Sequence, residues 1–355
     1  MKITKNLSFS NEIIFIGIDV HKKRWQIAIR NKENLLKTFS MDPEAMQLVN
    51  YMQKNYPDGI YHSVYEAGFC GFGIHEELVK AGFTNIVVSP GDVPITNKEK
   101  SYKDDTVDCI KLARELANRT LKGIYVPDKY HQELRSLVRR REDLSVRQSR
   151  IKQKIKSCLM FYGIETPDEL KYWSGHYINW LKTVQLKYTA GNEAFSILLE
   201  ELSFTKNLIS KTLHSLRKEY RSNEKVKETI DILTTVPGIG FITAITLYTE
   251  IIDIGRFNKL DQLPSFVGLV PSVSASGDKE RTRGLTNRHN SHLRNLIIEA
   301  AWVAMKNDPA LTMCYMELKK RMISQKAIIR IAKKLLFRIR HVWMYKTPYC
   351  IALVN

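Results

Sequence analysis

The N-terminal third of the chain alternates between two hydrophobic patterns. Short apolar runs between turn residues predict β-strands, whereas apolar residues that recur every three or four positions predict helices. Strands are expected near residues 13–19, 24–30, 34–39, 61–66 and 85–89, and helices near residues 43–55, 73–81 and 103–118. The first three strands can pair as a meander, and strands and helices alternate after them. This order predicts a mixed α/β sheet covered by helices on both faces.

The middle of the chain has helical periodicity. Over residues 129–156, leucine and isoleucine at near-heptad spacing predict a long basic helix. A second helix, near residues 194–221, is expected to return antiparallel to the first. The pair predicts a coiled coil that assembles copies of the chain, with a solvated helix packed within its own chain as the alternative. Residues 165–192, between the two helices, are aromatic and poorly periodic, and the pattern assigns them no role.

The final third is predicted to be mainly helical. It opens with the turn Pro237-Gly238-Ile239-Gly240 between two helical segments, which is typical of a helix-hairpin-helix. Glycines in such a turn let backbone N–H groups approach a DNA phosphate, although a tight turn between packed helices gives the same pattern. An apolar helix is expected over residues 292–305 and a basic helix over residues 319–346. The predicted domains are residues 1–128, 129–225 and 226–355.

The net charge of the chain indicates which class of partner it binds. The 355 residues include 55 Lys and Arg against 37 Asp and Glu, a formal charge of +18. This balance favours a polyanion, and nucleic acid is the leading candidate. No apolar run approaches the roughly 20 residues that span a bilayer, and the N-terminus lacks a signal-peptide core, so we expect an intracellular, cytoplasmic protein with no membrane partner. The five cysteines include no Cys-x-x-Cys pair, which argues against a disulfide framework or a zinc site.

Four carboxylates stand out in this basic chain. Asp19 ends the first predicted strand, Glu66 ends the fourth, and Asp105 and Asp108 open the helix after the fifth. Converging carboxylates from separate elements hold Mg²⁺, with Mn²⁺ as a substitute, and two such ions assist phosphoryl transfer. They also repel one another, so at least one is expected to have a raised pKa without metal. This order of elements and acids is that of an RNase H-like (RuvC-like) fold.

Helical geometry selects between two neighbouring acids. At about 100° per residue, Asp105 and Asp108 share one arc of their helix with Cys109, whereas Asp104 lies outside it. Asp105 is therefore the preferred ligand. The alternative for the four acids is structural: two strand ends, a helix N-terminus favoured by the dipole, and a solvated ion pair between Asp108 and Lys111.

A serine and several basic residues form a second candidate site. Ser276 precedes Gly277 in an accessible setting, and nearby basic residues would bind a scissile phosphate and stabilise the charge that develops when a serine attacks. Serine and glycine are also ordinary loop residues. The residues predicted to contact nucleic acid are Gly238, Gly240, Lys279, Arg281, Arg283, Arg288, Arg294, Arg139, Arg140, Arg147, Lys333 and Lys334.

The ordered motifs resemble those of the DEDD-type insertion-sequence transposases of the IS one-ten and IS eleven-eleven groups, which are bridge-RNA-guided recombinases. The resemblance spans nearly the whole chain and rests on order and spacing together. The motifs are Gly17-Ile-Asp-Val-His-Lys22, Tyr65-Glu-Ala-Gly68, Lys103-Asp-Asp-Thr-Val-Asp-Cys109, Val236-Pro-Gly-Ile-Gly240, and Phe266-Val-Gly-Leu-Val-Pro-Ser272 followed by Ser276-Gly277.

The resemblance implies a three-part enzyme acting on DNA. A RuvC-like domain would hold metal, a coiled coil would mediate assembly, and a C-terminal transposase domain would supply Ser276, with Ser272 and Ser274 as weaker candidates. A composite site between protomers would let the serine attack a DNA phosphate, leaving a phosphoserine link and a free 3′-hydroxyl that later rejoins strands. The implied metal ligands are Asp19, Glu66, Asp105 and Asp108.

The same resemblance implies several partners and a setting. The partners are donor and target DNA, a structured bridge RNA, and further copies of the chain in a tetramer built as a dimer of dimers. The setting is the nucleoid of a bacterial or archaeal cytoplasm. Two other functions fit the residues: a RuvC-like junction nuclease that cuts with metal-activated water, and a non-catalytic nucleic-acid-binding protein.

The chain departs from the family pattern at two motifs. Asp104 stands where the family usually has threonine, and Cys109 where it has alanine. His289 replaces a glycine near the end of the basic loop, which would strain the backbone if that turn needs a positive φ. The predicted metal ligands and Ser276 are all present.

Overall fold

A mixed five-stranded sheet organises the first of two structural units, unit 1 (Met1–Val126) and unit 2 (Pro127–Asn355). The computed structural model describes residues 8–94, 105–276 and 279–351. The strands of unit 1 are β1 (Ile13–Val20), β2 (Trp25–Arg30), β3 (Leu35–Met41), β4 (Ile60–Glu66) and β5 (Thr84–Val88), in the order β3-β2-β1-β4-β5. β2 is antiparallel to both β1 and β3, whereas β1, β4 and β5 run parallel. The predicted mixed sheet is confirmed and is consistent with an RNase H-like fold.

Helices cover both faces of this sheet, because successive residues of a strand point to opposite faces. The helices are α1 (Ala45–Asn55), α2 (Gly73–Lys80) and α3 (Asp105–Ala117). Ile14, Ile16 and Ile18 of β1 share one buried core with residues of α1 and α2. Phe15, on the opposite face, packs with Leu112 of α3. α3 therefore lies on the face that carries the odd-numbered residues of β1.

Gly17 lets α3 approach β1 directly. A Cβ atom at this position would lie 2.1 Å from the backbone oxygen of Cys109 and 2.6 Å from the backbone nitrogen of Ala113. Both neighbours are backbone atoms, so no rotamer change can make room for a side chain. Ala28 of β2 shares a small buried cluster with the same two residues. Small residues on β1 and β2 thus set the position of α3, and with it the position of Asp108.

Two long helices begin unit 2. They are α4 (Lys129–Phe161) and α6 (Thr189–Ser222), with the short α5 (Gly175–Thr183) between them. Leu159, near the end of α4, shares a core with Phe195 near the start of α6, whereas Val138 and Leu216 share another. The two helices are therefore antiparallel, as their periodicity predicts. That they also join copies of the chain stays a prediction.

The aromatic segment between these helices forms a small core with them. Tyr177 of α5 is fully buried and packs in one cluster with Ile155 of α4 and Phe195 of α6. Tyr172 lies beneath the ammonium group of Lys156, whose Nζ is 3.6 Å from the ring centroid, in a cation–π contact. The segment has poor periodicity because it contains one short helix between loops. Its packing against α4 and α6 is a tertiary feature that the pattern did not indicate.

The C-terminal part of unit 2 combines a helical core with a β-hairpin. Its elements are α7 (Glu224–Thr234), α8 (Phe241–Ile251), α9 (Gln262–Val267), β6 (Pro271–Ser276), β7 (Lys279–Leu285), α10 (Ser291–Asn307), α11 (Pro309–Lys319) and α12 (Ser324–Tyr345). Leu134 and Val138 of α4 and Leu216 of α6 are buried in the same core as these helices. The division of unit 2 into residues 129–225 and 226–355 stays a prediction. Among the described helices, none has the length and apolar character needed to cross a membrane.

The last helix begins later than the sequence predicts. The basic pattern predicts one helix over residues 319–346, but α11 ends at Lys319 and α12 begins at Ser324. The intervening run Lys320-Arg321-Met322-Ile323 contains no glycine or proline, so its composition gives no sign of a break. The β6–β7 hairpin is likewise a feature that the sequence did not predict.

Candidate active site

Asp19 and Glu66 lie at the carboxyl ends of adjacent parallel strands. They directly follow the last residues of β1 and β4 that are in register, so they are neighbours at one edge of the sheet. Glu66 lies two residues after Val64 on β4, so the two side chains are on the same face of the sheet. Val64 packs with Phe15 of β1 and Leu112 of α3. Asp19 lies four residues after Phe15 on β1 and is on this face as well. Both carboxylates are therefore on the face that α3 covers.

Asp108 of α3 lies close to these two carboxylates. The pKa of Glu66 is raised first by burial, and the negative charges of Asp108 and Asp19 raise it further, while the positive charge of Lys111 opposes the rise. This direction agrees with the expectation for converging carboxylates. The structure therefore brings three of the four predicted acids together at the sheet edge.

Asp105 is the first residue of α3, one helical turn before Asp108. Its side chain and the whole of Asp104 lie outside the described part of the chain. The preference for Asp105 over Asp104 as a metal ligand therefore stays a prediction.

Two basic side chains contact the acids. His21 Nε2 lies 3.0 Å from Asp19 Oδ2, and Lys111 Nζ lies 2.6 Å from Asp108 Oδ1. Only 7% of the Lys111 side chain is exposed and 35% of the Asp108 side chain, whereas the structural alternative from the sequence was a solvated ion pair. His21 falls within the Gly17–Lys22 motif, but the motif did not indicate a role for it. Its position two residues after Asp19, near the end of β1, was the feature of the sequence that could have indicated this contact.

The donor set suits a hard divalent cation. Mg²⁺ and Mn²⁺ prefer carboxylate oxygens, and the pKa of Glu66 is raised first by burial and then by the charges of Asp108 and Asp19. Within residues 8–94, 105–276 and 279–351, no three His, Cys, Asp or Glu side chains already stand in a metal-binding arrangement. Asp19, Glu66 and Asp108 fit such an ion by charge and donor type. Their use as ligands together with Asp105 stays a prediction.

Ser276 is the last residue of β6, at the end of the β6–β7 hairpin. Its partner in the antiparallel register is Lys279, the first residue of β7. The side chains of residues 273–283 lie outside the described part of the chain, as does Gly277. Backbone pairing nevertheless holds the serine and the lysine opposite each other. Arg281 and Arg283 follow at alternate positions of β7.

The other basic residues predicted to contact nucleic acid differ in their exposure. Contacts inside the chain join Arg139 to Glu250, Arg147 to Glu201, Lys333 to Asp261, and Arg294 to the backbone oxygen of Thr286. Arg140, Arg147, Arg288 and Lys334 are exposed. The exposed side chains are better placed to meet a phosphate backbone, because they are accessible at the surface.

Glu250, which the sequence analysis did not single out, is a buried carboxylate near the end of α8. Its oxygens accept hydrogen bonds from Arg139 Nε at 2.8 Å, Arg139 Nη2 at 3.0 Å and Asn290 Nδ2 at 3.0 Å. Asn290 also caps the first turn of α10 through its side chain. Burial by itself raises the pKa of Glu250, but the hydrogen bonds from Arg139 and Asn290 and the charges of Arg139 and Arg135 outweigh it and lower the pKa. Glu250 therefore links α8 to α4 through Arg139 and to the start of α10 through Asn290.

We expect Glu250→Gln to lower the free energy of unfolding by about 2 kcal/mol at pH 7, because hydrogen bonds to a charged acceptor are lost. A carboxyl group with a depressed folded-state pKa stabilises above its unfolded pKa, and this stability is lost as the pH falls through the folded value. The difference between the variant and wild type should therefore shrink below about pH 4. Urea unfolding at pH 7 and at pH 3.5 measures both effects, with the exposed Glu133→Gln as control. If the free energies of unfolding of Glu250→Gln and wild type differ by the same amount at both pH values, the prediction is contradicted.

The glycines of the turn between α7 and α8 have separate structural roles. Gly238 has a φ of +84°, and a Cβ there would lie 2.3 Å from the backbone oxygen of Ala300 in α10. Gly240 has no heavy atom within 4 Å of a Cβ position. It precedes α8, whose N-terminus has no side-chain cap. The uncapped N–H groups after Gly240 are the part of the turn suited to a phosphate, whereas Gly238 allows close packing.

His289 does not have a positive φ. The backbone strain considered for this position is therefore absent. The close approach is instead at Gly268, where φ is +85° and a Cβ would lie 2.2 Å from the Cβ of His289. Gly268 thus makes room for the histidine side chain.

The mixed sheet, with Asp19 and Glu66 at the ends of two adjacent parallel strands and Asp108 on the helix that packs on the same face, is consistent with an RNase H-like fold. Comparison with known families narrows the class. A model of the DEDD transposases of the IS110 group, described as "Transposase", matches residues 16–164. A second, described as "Transposase IS116/IS110/IS902 family", matches residues 230–315. The chain belongs to the IS110 family of insertion-sequence transposases, as its motifs predict.

Curated relatives extend over most of the chain. The putative transposase y4qE of Sinorhizobium fredii is 28% identical over 81% of this chain and 71% of its own length. The transposase for insertion sequence element IS1533 of Leptospira borgpetersenii is 26% identical over 81% of this chain and 84% of its own length. The transposase for insertion sequence element IS1111A of Coxiella burnetii is 23% identical over 67% of this chain and 62% of its own length. Family membership implies an enzyme that cuts and rejoins DNA.

Proposed function

We propose that this transposase cuts and rejoins DNA with a metal-binding carboxylate site and a serine nucleophile, guided by a structured RNA. The observation that carries the proposal is the convergence of Asp19, Glu66 and Asp108 at one sheet edge, where burial and then the charges of Asp108 and Asp19 raise the pKa of Glu66. Carboxylates concentrated in this way are stabilised by a divalent cation. Asp105, one turn before Asp108, would be the fourth ligand.

Mg²⁺ or Mn²⁺ at these carboxylates would stabilise the charge that develops on the phosphoryl oxygens during transfer. The side chains around the acids support that role. His21 contacts Asp19 at 3.0 Å and restricts its orientation. Lys111 contacts Asp108 and partly offsets the charge on Glu66.

Ser276 acts as the nucleophile in this proposal. A bond forms between its Oγ and the phosphorus of a DNA phosphodiester as the bond to the 3′ oxygen breaks. The serine hydroxyl loses its proton, and the departing oxygen gains one to become a free 3′-hydroxyl. A 3′-hydroxyl then attacks the phosphoserine linkage, restores a phosphodiester and releases the serine. The phosphoester bond is conserved throughout, so no nucleoside triphosphate is consumed.

A structured RNA and further copies of the chain are the proposed partners besides DNA. The formal charge of +18 supports more than one polyanionic contact. Base pairing with a guide RNA would choose the donor and target sequences, so the protein would need only contacts to the nucleic-acid backbone. We propose a tetramer assembled as a dimer of dimers, with the paired helices α4 and α6 contributing to assembly.

We expect Ser276→Ala to abolish both the covalent protein–DNA adduct and recombination, because alanine has no atom that can bond to phosphorus. The assay combines purified protein, RNA transcribed from the element, Mg²⁺, and end-labelled donor and target DNA. Denaturing gels detect the adduct, and sequencing across junctions detects recombination. Ser272→Ala and Ser274→Ala are the matched controls on the same strand, and both should retain activity.

The same assay identifies the competing function. If Ser276→Ala cut DNA at the wild-type rate and no adduct could be trapped, the enzyme would be a nuclease that uses water. Omission of the RNA should abolish site-specific recombination, and recombination at the same sites without RNA would contradict guidance.

A further inference from the structure

Lys111 is a buried cation inside the acidic site. It lies on α3, where 7% of its side chain is exposed, and its Nζ is 2.6 Å from Asp108 Oδ1. Lysine is rarely removed from water to this extent unless its charge is paired, because desolvation of an ammonium group is costly. A buried lysine beside a proposed metal ligand therefore calls for an explanation beyond surface charge.

A second ion pair in the chain shows what is unusual about Lys111. Lys320 and Glu317 have the same helical spacing and the same separation of 2.6 Å, but their side chains are 70% and 59% exposed. Such an exposed pair contributes little to stability, since water solvates each charge when the pair separates. Lys111 has little access to water, so a nearby carboxylate rather than water must stabilise its positive charge.

The charge of Lys111 reaches more than one carboxylate. It contacts Asp108 directly and also lowers the pKa of Glu66 against the effects of burial, Asp108 and Asp19. One ammonium group thus acts on two of the three carboxylates. Asp19, the third, has His21 beside it, with the Nε2 atom 3.0 Å from its Oδ2.

We propose that the Lys111 ammonium is the internal counter-cation of the acidic site, which holds Asp108 in place without metal and competes with a divalent ion for that carboxylate. The inference rests on the proposed function in taking Asp19, Glu66 and Asp108 as metal ligands. An ammonium group that already neutralises a carboxylate weakens its attraction for a second cation, and the two cations repel each other. Lys111 therefore sets the metal concentration at which the site fills.

The first test removes the charge and measures metal binding without DNA. Lys111→Met retains most of the apolar stem, Lys111→Arg retains the charge, and Lys320→Met is the control on an exposed pair. In EDTA, Lys111→Met should melt several degrees below wild type, because the carboxylates are no longer neutralised. It should bind Mg²⁺ about tenfold more tightly by calorimetry, which corresponds to about 1.4 kcal/mol. Lys111→Arg and Lys320→Met should resemble wild type.

The outcomes separate this inference from the proposed function. If wild type and Lys111→Met bind Mg²⁺ equally, or the variant binds it more weakly, the competition is refuted while the metal site stands. If neither protein binds Mg²⁺ or Mn²⁺, the metal site itself fails, and the inference fails with it.

A second test uses the wild-type protein and does not depend on a variant that folds. Acetylation of lysines by a water-soluble reagent is followed by mass spectrometry with and without millimolar Mg²⁺. Displacement from Asp108 should raise the reactivity of Lys111 several-fold, whereas Lys320 should react equally in both conditions. The Mg²⁺ concentration is chosen so that calorimetry shows the site to be saturated. If Lys111 then reacts equally with and without Mg²⁺, the proposal is overturned.

Discussion

Asp19→Asn is expected to reduce DNA cleavage and strand rejoining by about a thousandfold, on the order of what loss of an essential electrostatic group costs an enzyme. Asparagine has nearly the same shape as aspartate, so the fold should be retained. The neutral amide would lower the affinity of the site for a divalent cation, because one of its negative ligands is lost. Asp19 lies near the end of β1, next to Glu66 at the end of the adjacent parallel strand.

The matched control for this prediction is Asp42→Asn, which neutralises an exposed acid in the same unit. It should cut and rejoin DNA at the wild-type rate. Melting in the presence and absence of Mg²⁺ gives a second readout, since a ligand that binds only the folded state raises its stability. Wild type and Asp42→Asn should gain stability from millimolar Mg²⁺, and Asp19→Asn should gain less. Full activity of Asp19→Asn would remove Asp19 from the proposed site.

Gly17→Ala is expected to destabilise the protein by about 3 kcal/mol, near the upper end of the cost of overpacking. The new methyl group would meet the backbone of α3 at 2.1 Å and 2.6 Å, so the helix itself must move away from β1. That movement would carry Asp108 away from Asp19 and Glu66. Activity should therefore fall even at temperatures at which the variant remains folded.

Gly73→Ala provides the control for this second prediction. Gly73 begins α2, and a Cβ there would meet no heavy atom within 4 Å. Its substitution should be neutral or slightly stabilising, because alanine favours a helix more than glycine does. Chemical unfolding measures the difference in stability, and the DNA assay at low temperature measures activity. A Gly17→Ala protein with wild-type stability and activity would show that α3 does not depend on this contact.

The elements of unit 1 were largely predictable because their patterns are local. Strand runs and helical periodicity gave each of the five strands and the helices around them to within a few residues. The patterns worked less well in unit 2. The β6–β7 hairpin begins at Pro271 in a segment rich in serine, and its pairing depends on register across a turn rather than on a long apolar run.

The candidate site was predicted in part. The sequence placed Asp19, Glu66 and Asp108 at the ends of separate elements, and in the structure Asp19 and Glu66 end adjacent parallel strands, where burial and then the charges of Asp108 and Asp19 raise the pKa of Glu66. It could not show that Lys111 would be buried, since a lysine three residues after an aspartate on a helix is an ordinary surface pair. Burial came from the packing of α3 against β1 and β2.

The basic residues also show that the sequence does not indicate which side chains are paired or exposed in the fold. Arg139 and Arg140 are adjacent and identical in type, so the sequence assigned both to nucleic acid. In the fold, Arg139 points to the buried carboxylate of Glu250, whereas Arg140 is exposed. Which of two neighbouring arginines is available to a phosphate depends on the acids brought near by other helices.

The sequence by itself determined the class of this protein: the order of strands, helices and acids, the excess of positive charge and the spaced motifs all point to an IS110-family transposase. Those properties depend on neighbouring residues or on simple sums over the chain, so they can be determined without knowledge of the fold. The tertiary structure decided how the residues are used. It set α3 against Gly17, buried Lys111 beside Asp108 and paired Arg139 with Glu250, because burial and charge pairing depend on which distant segments meet.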